Sequence, residues 1–408
     1  MDVKIFATPA NIRKGSRYKL FNVPLAFLVV ASILGLVLRY EQFAPHREVV
    51  YAHMLHAHSH VMFLGWVFNV LMLSFTIEFA EVRYFRPLFW TLQVCVAGML
   101  ISFPLQGYGA FSIAFSSLHS VGVLTFTLLF FHATNGMSSL SLTLAKTALS
   151  FFALSTLGPV ALAYLKSHGL GHTDLYRFAV YFYLHFQYNG FFFFGILSLA
   201  THLVVGSLQQ TELHRLRIAC FIFIGACIPA FALSILWSKP TPVIYIVGFI
   251  AGIAQVVALY LLWMPLNRSI HQLKTTTSAR TLLLISGISF VLKIILQLCS
   301  SSPAVAGLAN EFRHIVIAYL HLVLMGFTTF FLFGWLIQKR VIPTKVSWEI
   351  GMLTIGFVFS EALLVVSPWS ETLLNLTTVR LLQAVFFLSW LMAIGIISMA
   401  AKAHRQNS

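Results

Sequence analysis

The chain has 408 residues, of which 59% are hydrophobic and only 9% are charged, with a mean hydropathy of +0.87. Soluble domains carry about 25% charged residues, so this composition excludes a soluble globular protein and indicates a polytopic membrane protein. The formal charge of +15 does not indicate nucleic-acid binding, because the basic residues are distributed over the loops between apolar runs. That distribution is typical of a protein inserted in membrane lipid.

Hydrophobic runs of about 20 residues, the length that crosses a bilayer, follow one another along the chain. They predict an all-α protein of about twelve membrane helices, with residues 1–19 as an N-terminal segment, 20–399 as the membrane domain and 400–408 as a tail. The predicted spans are 20–40, 53–79, 87–105, 111–133, 144–165, 175–203, 217–237, 243–264, 280–299, 311–338, 347–366 and 378–399.

The distribution of lysine and arginine predicts the orientation. With the N-terminus inside, the inner segments hold 18 of these residues and the outer segments hold 7. Positive charge is retained on the cytoplasmic side, so both termini are predicted to be cytoplasmic, in what is expected to be a bacterial inner membrane.

Four histidines, His53, His56, His58 and His60, open the second span. Histidine inside a membrane is costly and commonly marks a cofactor, a metal or a proton path. His56 and His60 share a helical face, whereas His58 lies roughly 200° from His60, so the two point at different neighbours. Which of His58 and His60 faces the interior is open at this stage, and His56 is a further candidate ligand near the membrane surface.

One motif, His-x4-Gly-aromatic, occurs three times. It begins at His60, His185 and His321, which lie in the long second, sixth and tenth spans. The motif thus recurs in every fourth span, which predicts an internal repeat and a pseudo-threefold arrangement. In the predicted topology the three histidines lie at one depth and can converge.

Neutral imidazole is a common axial ligand of heme iron, and two imidazoles from facing helices can hold a b-type heme without covalent attachment. His60 and His321 are candidate ligands, with His58 as the competitor of His60. Arg313 and Arg380, predicted near the outer surface, are candidate partners of the propionates. His314 is a candidate second metal ligand, a propionate contact or an interfacial residue.

The arrangement resembles the catalytic subunit of the heme–copper oxidase superfamily, which includes the nitric oxide reductases. The resemblance covers the chain as topology and rests, as motif, on His58-Ser-His60 with Gly65, on His185 to Gly190, and on Tyr319-Leu-His321 with Gly326. It implies that His60 and His321 resemble low-spin heme ligands and that His185 resembles a copper ligand. The His-rich second span also resembles a twelve-helix heme protein family linked to nitric oxide stress.

Two departures separate this chain from that superfamily. Tyr319 stands where the family's tenth helix has its first histidine, and the seventh span has none of the adjacent histidines that ligate copper. A three-histidine copper site of the usual kind is therefore not expected, and copper or another second metal remains a subsidiary expectation.

The function expected from the sequence is heme binding in respiratory electron transfer, or in oxygen or nitric oxide chemistry, with a quinol or a cytochrome as electron donor. Whether the protein is an oxidoreductase with turnover is open. A heme sensor or carrier, and a transporter that uses the histidines as proton or metal sites, are the alternatives. Lys293 and Glu361, predicted at similar depth, are expected to form a buried ion pair.

Overall fold

The computed structural model describes residues 17–273 and 275–407, except for the side chains of residues 267 and 270–272. Helices dominate the described chain, as the hydropathy pattern predicts, because in lipid a helix satisfies its own backbone hydrogen bonds. Twelve helical units follow one another. They are α1 Asn22–Tyr40, α2 Tyr51–Glu78, α3 Phe85–Gln106, α4 Ala110–Ala133, α5 Leu140–Ser167, α6 Asp174–Ser207, α7 Gln210–Cys227, α8 Pro242–Gln272, α9 Thr277–Cys299, α10 Arg313–Gln338, α11 Ser347–Val366 and α12 Thr378–Asn407.

Eleven helices of the described ranges are long and apolar enough to cross a membrane, so the prediction of an all-α polytopic membrane protein of about twelve helices is confirmed. The predicted seventh span, 217–237, differs from the structure. There α7 ends at Cys227, and after Pro229 only a short helix, Phe231–Ser234, follows. Proline has no backbone N–H and its ring clashes with the preceding turn, so the helix is interrupted at this point.

Helices α2, α6 and α10 form the centre of the bundle and are more buried than the helices around them. Each contains one π-helical segment, and each π segment begins at the residue that follows a motif histidine. The segments are Val61–Phe68 after His60, Phe186–Phe192 after His185 and Leu322–Thr329 after His321. The repeated sequence motif therefore corresponds to a repeated backbone irregularity, of a kind that is frequent at functional sites.

The glycine of each motif is the fifth residue of its π segment and allows a neighbouring helix to approach closely. A Cβ atom at Gly65 would lie 2.9 Å from Cβ of Phe27, and one at Gly190 would lie 2.7 Å from Cβ of Phe151. At Gly326 the nearest atoms would be Cζ of Phe357 and Oγ of Ser289, both at 2.7 Å. All three glycines thus serve helix–helix packing.

The C-terminal ends of the three central helices are joined by one carboxylate. Glu78, the last residue of α2, lies 2.7 Å through Oε1 from Nζ of Lys339 and 3.2 Å through Oε2 from Nε2 of His202. His202 lies near the end of α6, and Lys339 follows the last residue of α10. The three repeats are therefore fixed to one another at this end of the bundle.

At their N-terminal ends the central helices separate. The main contacts of α6 with α10 and with α2 lie on the π segments and on the halves that follow them. The N-terminal segments pack outward instead: that of α2 on α3, that of α6 on α5 and that of α10 on α11. Burial changes at the same level. Residues 61–76 and 185–199 are buried throughout, while 53–56, 58–60, 180–184 and 319–322 are partly exposed. The N-terminal halves of the three helices are therefore packed less closely against one another than the segments that follow, and we call the region between them the cleft.

The predicted ion pair between Lys293 and Glu361 is wrong. Glu361 lies 3.0 Å through Oε1 from Nδ1 of His321, and Lys293, which is buried, has its ammonium 5.3 Å from the centre of the Phe193 ring. Depth in the membrane, on which the prediction rested, leaves the rotation of each helix undetermined. Packing rotates Lys293 of α9 toward α6 and Glu361 of α11 toward α10.

Candidate functional site

The polar residues that line the cleft are the histidines of α2 together with aromatic residues of α6 and α10. Five of these residues are partly exposed although they lie in the centre of an apolar bundle. They are His58, His60, Tyr183, Tyr319 and His321. Polar side chains at such a position need hydrogen-bond partners or a bound group, because an unsatisfied polar atom in an apolar surrounding is costly. The partners of each histidine therefore indicate what it can bind.

His58 points from α2 toward α1. Its Nδ1 lies 2.9 Å from the carbonyl oxygen of Ala31, and Gly35, one turn further along α1, leaves room for the ring. A carbonyl oxygen can only accept, so Nδ1 carries the proton and donates it. Nε2 of the neutral ring is then left with its lone pair, which is the arrangement of a metal-binding imidazole with a backbone partner.

His60 points from α2 toward α3. Its Nδ1 donates to the carbonyl oxygen of His56 at 2.8 Å, and its ring lies against Phe103 with the ring centres 4.4 Å apart. His56, the other candidate on this face, packs its ring against Tyr108 at 4.5 Å. Both histidines are therefore directed at the aromatic end of α3.

His321, at the end of the first segment of α10, lies on the side of the cleft toward which His58 points. The two imidazoles are within electrostatic range of each other, and Arg39 of α1 is near both. The structure therefore brings His58, rather than His60, within electrostatic range of His321. The sequence left this choice open, and its preferred pairing of His60 with His321 is not the one that this geometry favours.

Nδ1 of His321 has two close neighbours. Oε1 of Glu361 lies at 3.0 Å and Nη2 of Arg39 at 3.1 Å. Arg39 is only 6% exposed, and within the described chain its Nη1 has no hydrogen-bond partner, and neither has Oε2 of Glu361. A buried cation and a half-buried carboxylate thus flank the imidazole, and each retains one polar atom without a hydrogen-bond partner in the described chain.

His185, the candidate copper ligand, is fully buried, and both of its nitrogens are occupied by protein groups. Nε2 donates to the carbonyl oxygen of Cys227 at 2.9 Å. Nδ1 therefore accepts, and the donors in reach are the Ser234 hydroxyl at 3.0 Å and the Asn189 amide at 3.2 Å. In this arrangement neither nitrogen of His185 is available to a metal.

A copper centre at this position has no further support. Within the described ranges, no group of three or more histidine, cysteine, aspartate or glutamate side chains is arranged to hold a metal ion. The buried Lys293 lies within electrostatic range of both His185 and Cys227. A fixed ammonium near the imidazole opposes the binding of another cation there.

The remaining candidate residues lie around the start of α10. The Arg313 guanidinium is 5.4 Å from the ring centre of Tyr51, the first residue of α2, so it bridges the two helices that carry His58 and His321. Nδ1 of His314 lies 3.1 Å from the hydroxyl of the buried Ser367. Arg380, near the start of α12, is exposed.

Sequence reasoning missed Arg39 and assigned Glu361 to the wrong partner. The signal for both was a charged residue at or inside an apolar run, which usually marks a functional or paired position. The contact of each with His321 depends on how α1 and α11 pack around α10, and a single sequence does not contain that information.

The residues of the cleft fit a bis-imidazole heme. His58 and His321 lie on different helices within electrostatic range of each other, each with an acceptor within hydrogen-bond distance of Nδ1, and Arg39 offers an unpaired N–H to an anionic or carbonyl substituent. His60 has the same Nδ1 arrangement but is directed toward α3.

Comparison of the sequence with protein-family models and with curated proteins finds no match.

Proposed function

We propose that this membrane protein binds a b-type heme in the cleft between the N-terminal halves of α2, α6 and α10, with Nε2 of His58 and Nε2 of His321 as axial ligands. The observation that carries the proposal is that both rings have Nδ1 anchored, one on the Ala31 carbonyl and one on the Glu361 carboxylate. Anchoring fixes the tautomer and the ring orientation that an axial ligand requires.

Bound heme would supply one-electron redox chemistry. Two protein imidazoles leave the iron without an open position, so the site suits electron transfer better than the binding of oxygen or nitric oxide. His185, with both nitrogens occupied, and Lys293 beside it argue against a copper partner. We therefore propose membrane electron transfer, with a quinol or a cytochrome as donor, in a protein that resembles the heme–copper oxidases in its helix arrangement.

The heme content of the purified protein tests this proposal. A pyridine hemochrome assay should give about one heme b per chain, and reduction with dithionite should give a sharp alpha band that carbon monoxide does not change. Protein that contains no heme after expression with added heme precursor, and that takes up none from hemin in detergent, would refute the proposal.

One observation favours a transporter as the second candidate. Arg39, His321 and Glu361 form a buried cluster of titratable and charged groups between α1, α10 and α11, and such clusters also occur in proton-coupled carriers. The two functions differ in a direct measurement. A transporter without heme has no Soret band and moves protons or metal ions in proteoliposomes, whereas the proposed electron carrier has the band.

We further propose that the protein lies in a bacterial inner membrane with both termini in the cytoplasm, as the asymmetry of lysine and arginine favours. Reporter fusions made at Gln338 and at Ser408, which lies outside the described residues, should both report the cytoplasm. A periplasmic signal at either position would refute this topology.

A further inference from the structure

The imidazole of His321 lies between a cation and an anion at the same ring atom. Nδ1 is 3.1 Å from Nη2 of Arg39 on α1 and 3.0 Å from Oε1 of Glu361 on α11. Arg39 is buried and Glu361 is half-buried, so both groups act on the ring at close range with limited screening by water.

The two contacts require opposite protonation of Nδ1. A guanidinium only donates, so a hydrogen bond from Arg39 needs a lone pair on Nδ1 and places the proton of the neutral ring on Nε2. An ionised carboxylate only accepts, so a hydrogen bond to Glu361 needs the proton on Nδ1 and leaves the lone pair on Nε2. A neutral imidazole satisfies one neighbour or the other.

Only one of these tautomers can bind a metal through Nε2, the nitrogen opposite the anchored one. We infer that Glu361 is the positioning residue for His321: its carboxylate holds the proton on Nδ1 against the competing Arg39 donor and so keeps Nε2 open as an iron ligand. This inference rests on the proposed function. It adds that a carboxylate on α11, outside the three repeated histidine motifs, determines whether Nε2 of His321 can bind iron.

The surroundings support this assignment. Oε1 of Glu361 also accepts from the Ser360 hydroxyl at 3.3 Å, which orients the carboxylate toward α10. Arg39 is within electrostatic range of Glu361 and of Tyr51. A carboxylate on Nδ1–H increases the basicity of the ligand and stabilises the ferric over the ferrous state.

Three variants of the full chain separate this role from a merely structural one. In Glu361→Gln the amide oxygen can accept the same hydrogen bond without the charge. The heme content should stay near that of wild type. The redox equilibrium should shift about tenfold toward the ferrous form, which is a rise of about 59 mV in the midpoint potential for one electron. In Glu361→Leu only the Arg39 donor remains at Nδ1, and heme content should fall at least about tenfold.

The double variant Arg39→Met with Glu361→Leu removes both neighbours of Nδ1. The ring is then free to present Nε2, so heme content should recover to several times that of Glu361→Leu. Glu371→Gln, an exposed carboxylate in the segment after α11, is the matched control and should change neither heme content nor potential. Gel filtration in detergent and the thermal midpoint of each variant show whether it is folded.

The outcomes distinguish this inference from the function on which it rests. Wild-type protein without heme refutes the proposed function itself. Wild type with heme, together with a Glu361→Gln variant of unchanged potential, overturns the role of the carboxylate. If the double variant contains no more heme than Glu361→Leu, the competition between Arg39 and Glu361 is refuted.

Discussion

The carbonyl oxygen of Ala31 lies 2.9 Å from Nδ1 of His58, so a backbone group of α1 fixes the tautomer of a histidine on α2. The same helix carries Gly35, which gives the ring space, and Arg39, which approaches His321. Helix α1 therefore organises one side of the cleft although it carries none of the repeated motifs. The contact directs the His58 ring toward α1, whereas the His60 ring is directed toward Phe103 of α3.

We predict that His58→Ala and His321→Ala each abolish the sharp reduced alpha band or convert the heme to a five-coordinate form that binds carbon monoxide. His60→Ala should retain the low-spin spectrum, because that ring is directed at Phe103 of α3. Optical spectra of the reduced proteins, with and without carbon monoxide, test this. Loss of the band in His60→Ala, with retention in His58→Ala, would reverse the assignment.

His185→Ala should leave both the heme spectrum and the metal content unchanged. It should instead lower the free energy of unfolding by about 1–3 kcal/mol, because the buried Asn189 amide, the partly buried Ser234 hydroxyl and the Cys227 carbonyl lose their common partner. Thermal unfolding in detergent measures the effect. His168→Ala, in an exposed loop, is the control. Copper bound in wild type and lost in His185→Ala would contradict this account.

Gly190→Ala should destabilise the bundle by about 1–3 kcal/mol, because the added Cβ would lie 2.7 Å from Cβ of Phe151, an atom that moves only with its backbone. Gly287→Ala on α9 has no atom within 4 Å of the added carbon and should be neutral or stabilising by about 0.5–1 kcal/mol. Chemical unfolding of both variants in one detergent makes the comparison. Equal destabilisation would argue against close packing at the π segments.

Glu78→Gln should loosen the C-terminal end of the central helices. Lys339 and His202 lose their shared carboxylate, and the half-buried ammonium is left without its counter-charge, at an expected loss of about 1–3 kcal/mol. Limited proteolysis should then cleave the segments after α6 and α10 faster than in wild type. Glu371→Gln again serves as the control, and an unchanged cleavage rate in Glu78→Gln would refute the linking role.

The loop after α1 should confer a dependence of stability on acid pH. Glu41 accepts hydrogen bonds from the backbone N–H of His46 at 2.8 Å and from its ring at 2.6 Å, and these contacts lower the pKa of the Glu41 carboxyl below its ordinary 4.5. A lowered folded-state pKa stabilises the fold above pH 4.5, and the effect is lost as the pH falls through the lowered value. Thermal midpoints of wild type and Glu41→Gln should therefore differ at pH 6 and converge at strongly acid pH. A constant difference would contradict this.

The sequence by itself determined the class of the protein, the approximate bounds of its spans and the positions of the repeated histidines. Each of these features depends on the composition and spacing of residues along the chain, and not on how the helices pack. Twenty apolar residues span a bilayer regardless of their neighbours, and the recurrence of His60, His185 and His321 at equal spacing in the helix order can be counted directly. The interruption of α7 at Pro229 was also visible in principle, because proline acts on its own helix.

Only the tertiary structure decided which histidine faces which helix and which groups they meet. A step of two residues along a helix turns the side-chain direction by roughly 200°. The rotation of each helix about its own axis is determined by its packing, as at Gly65 against Phe27. The π segments further change the direction of the side chains that follow them, and a single sequence does not show where such segments lie. For this reason His58 is within electrostatic range of His321, Glu361 contacts His321 and not Lys293, and both nitrogens of His185 have protein partners.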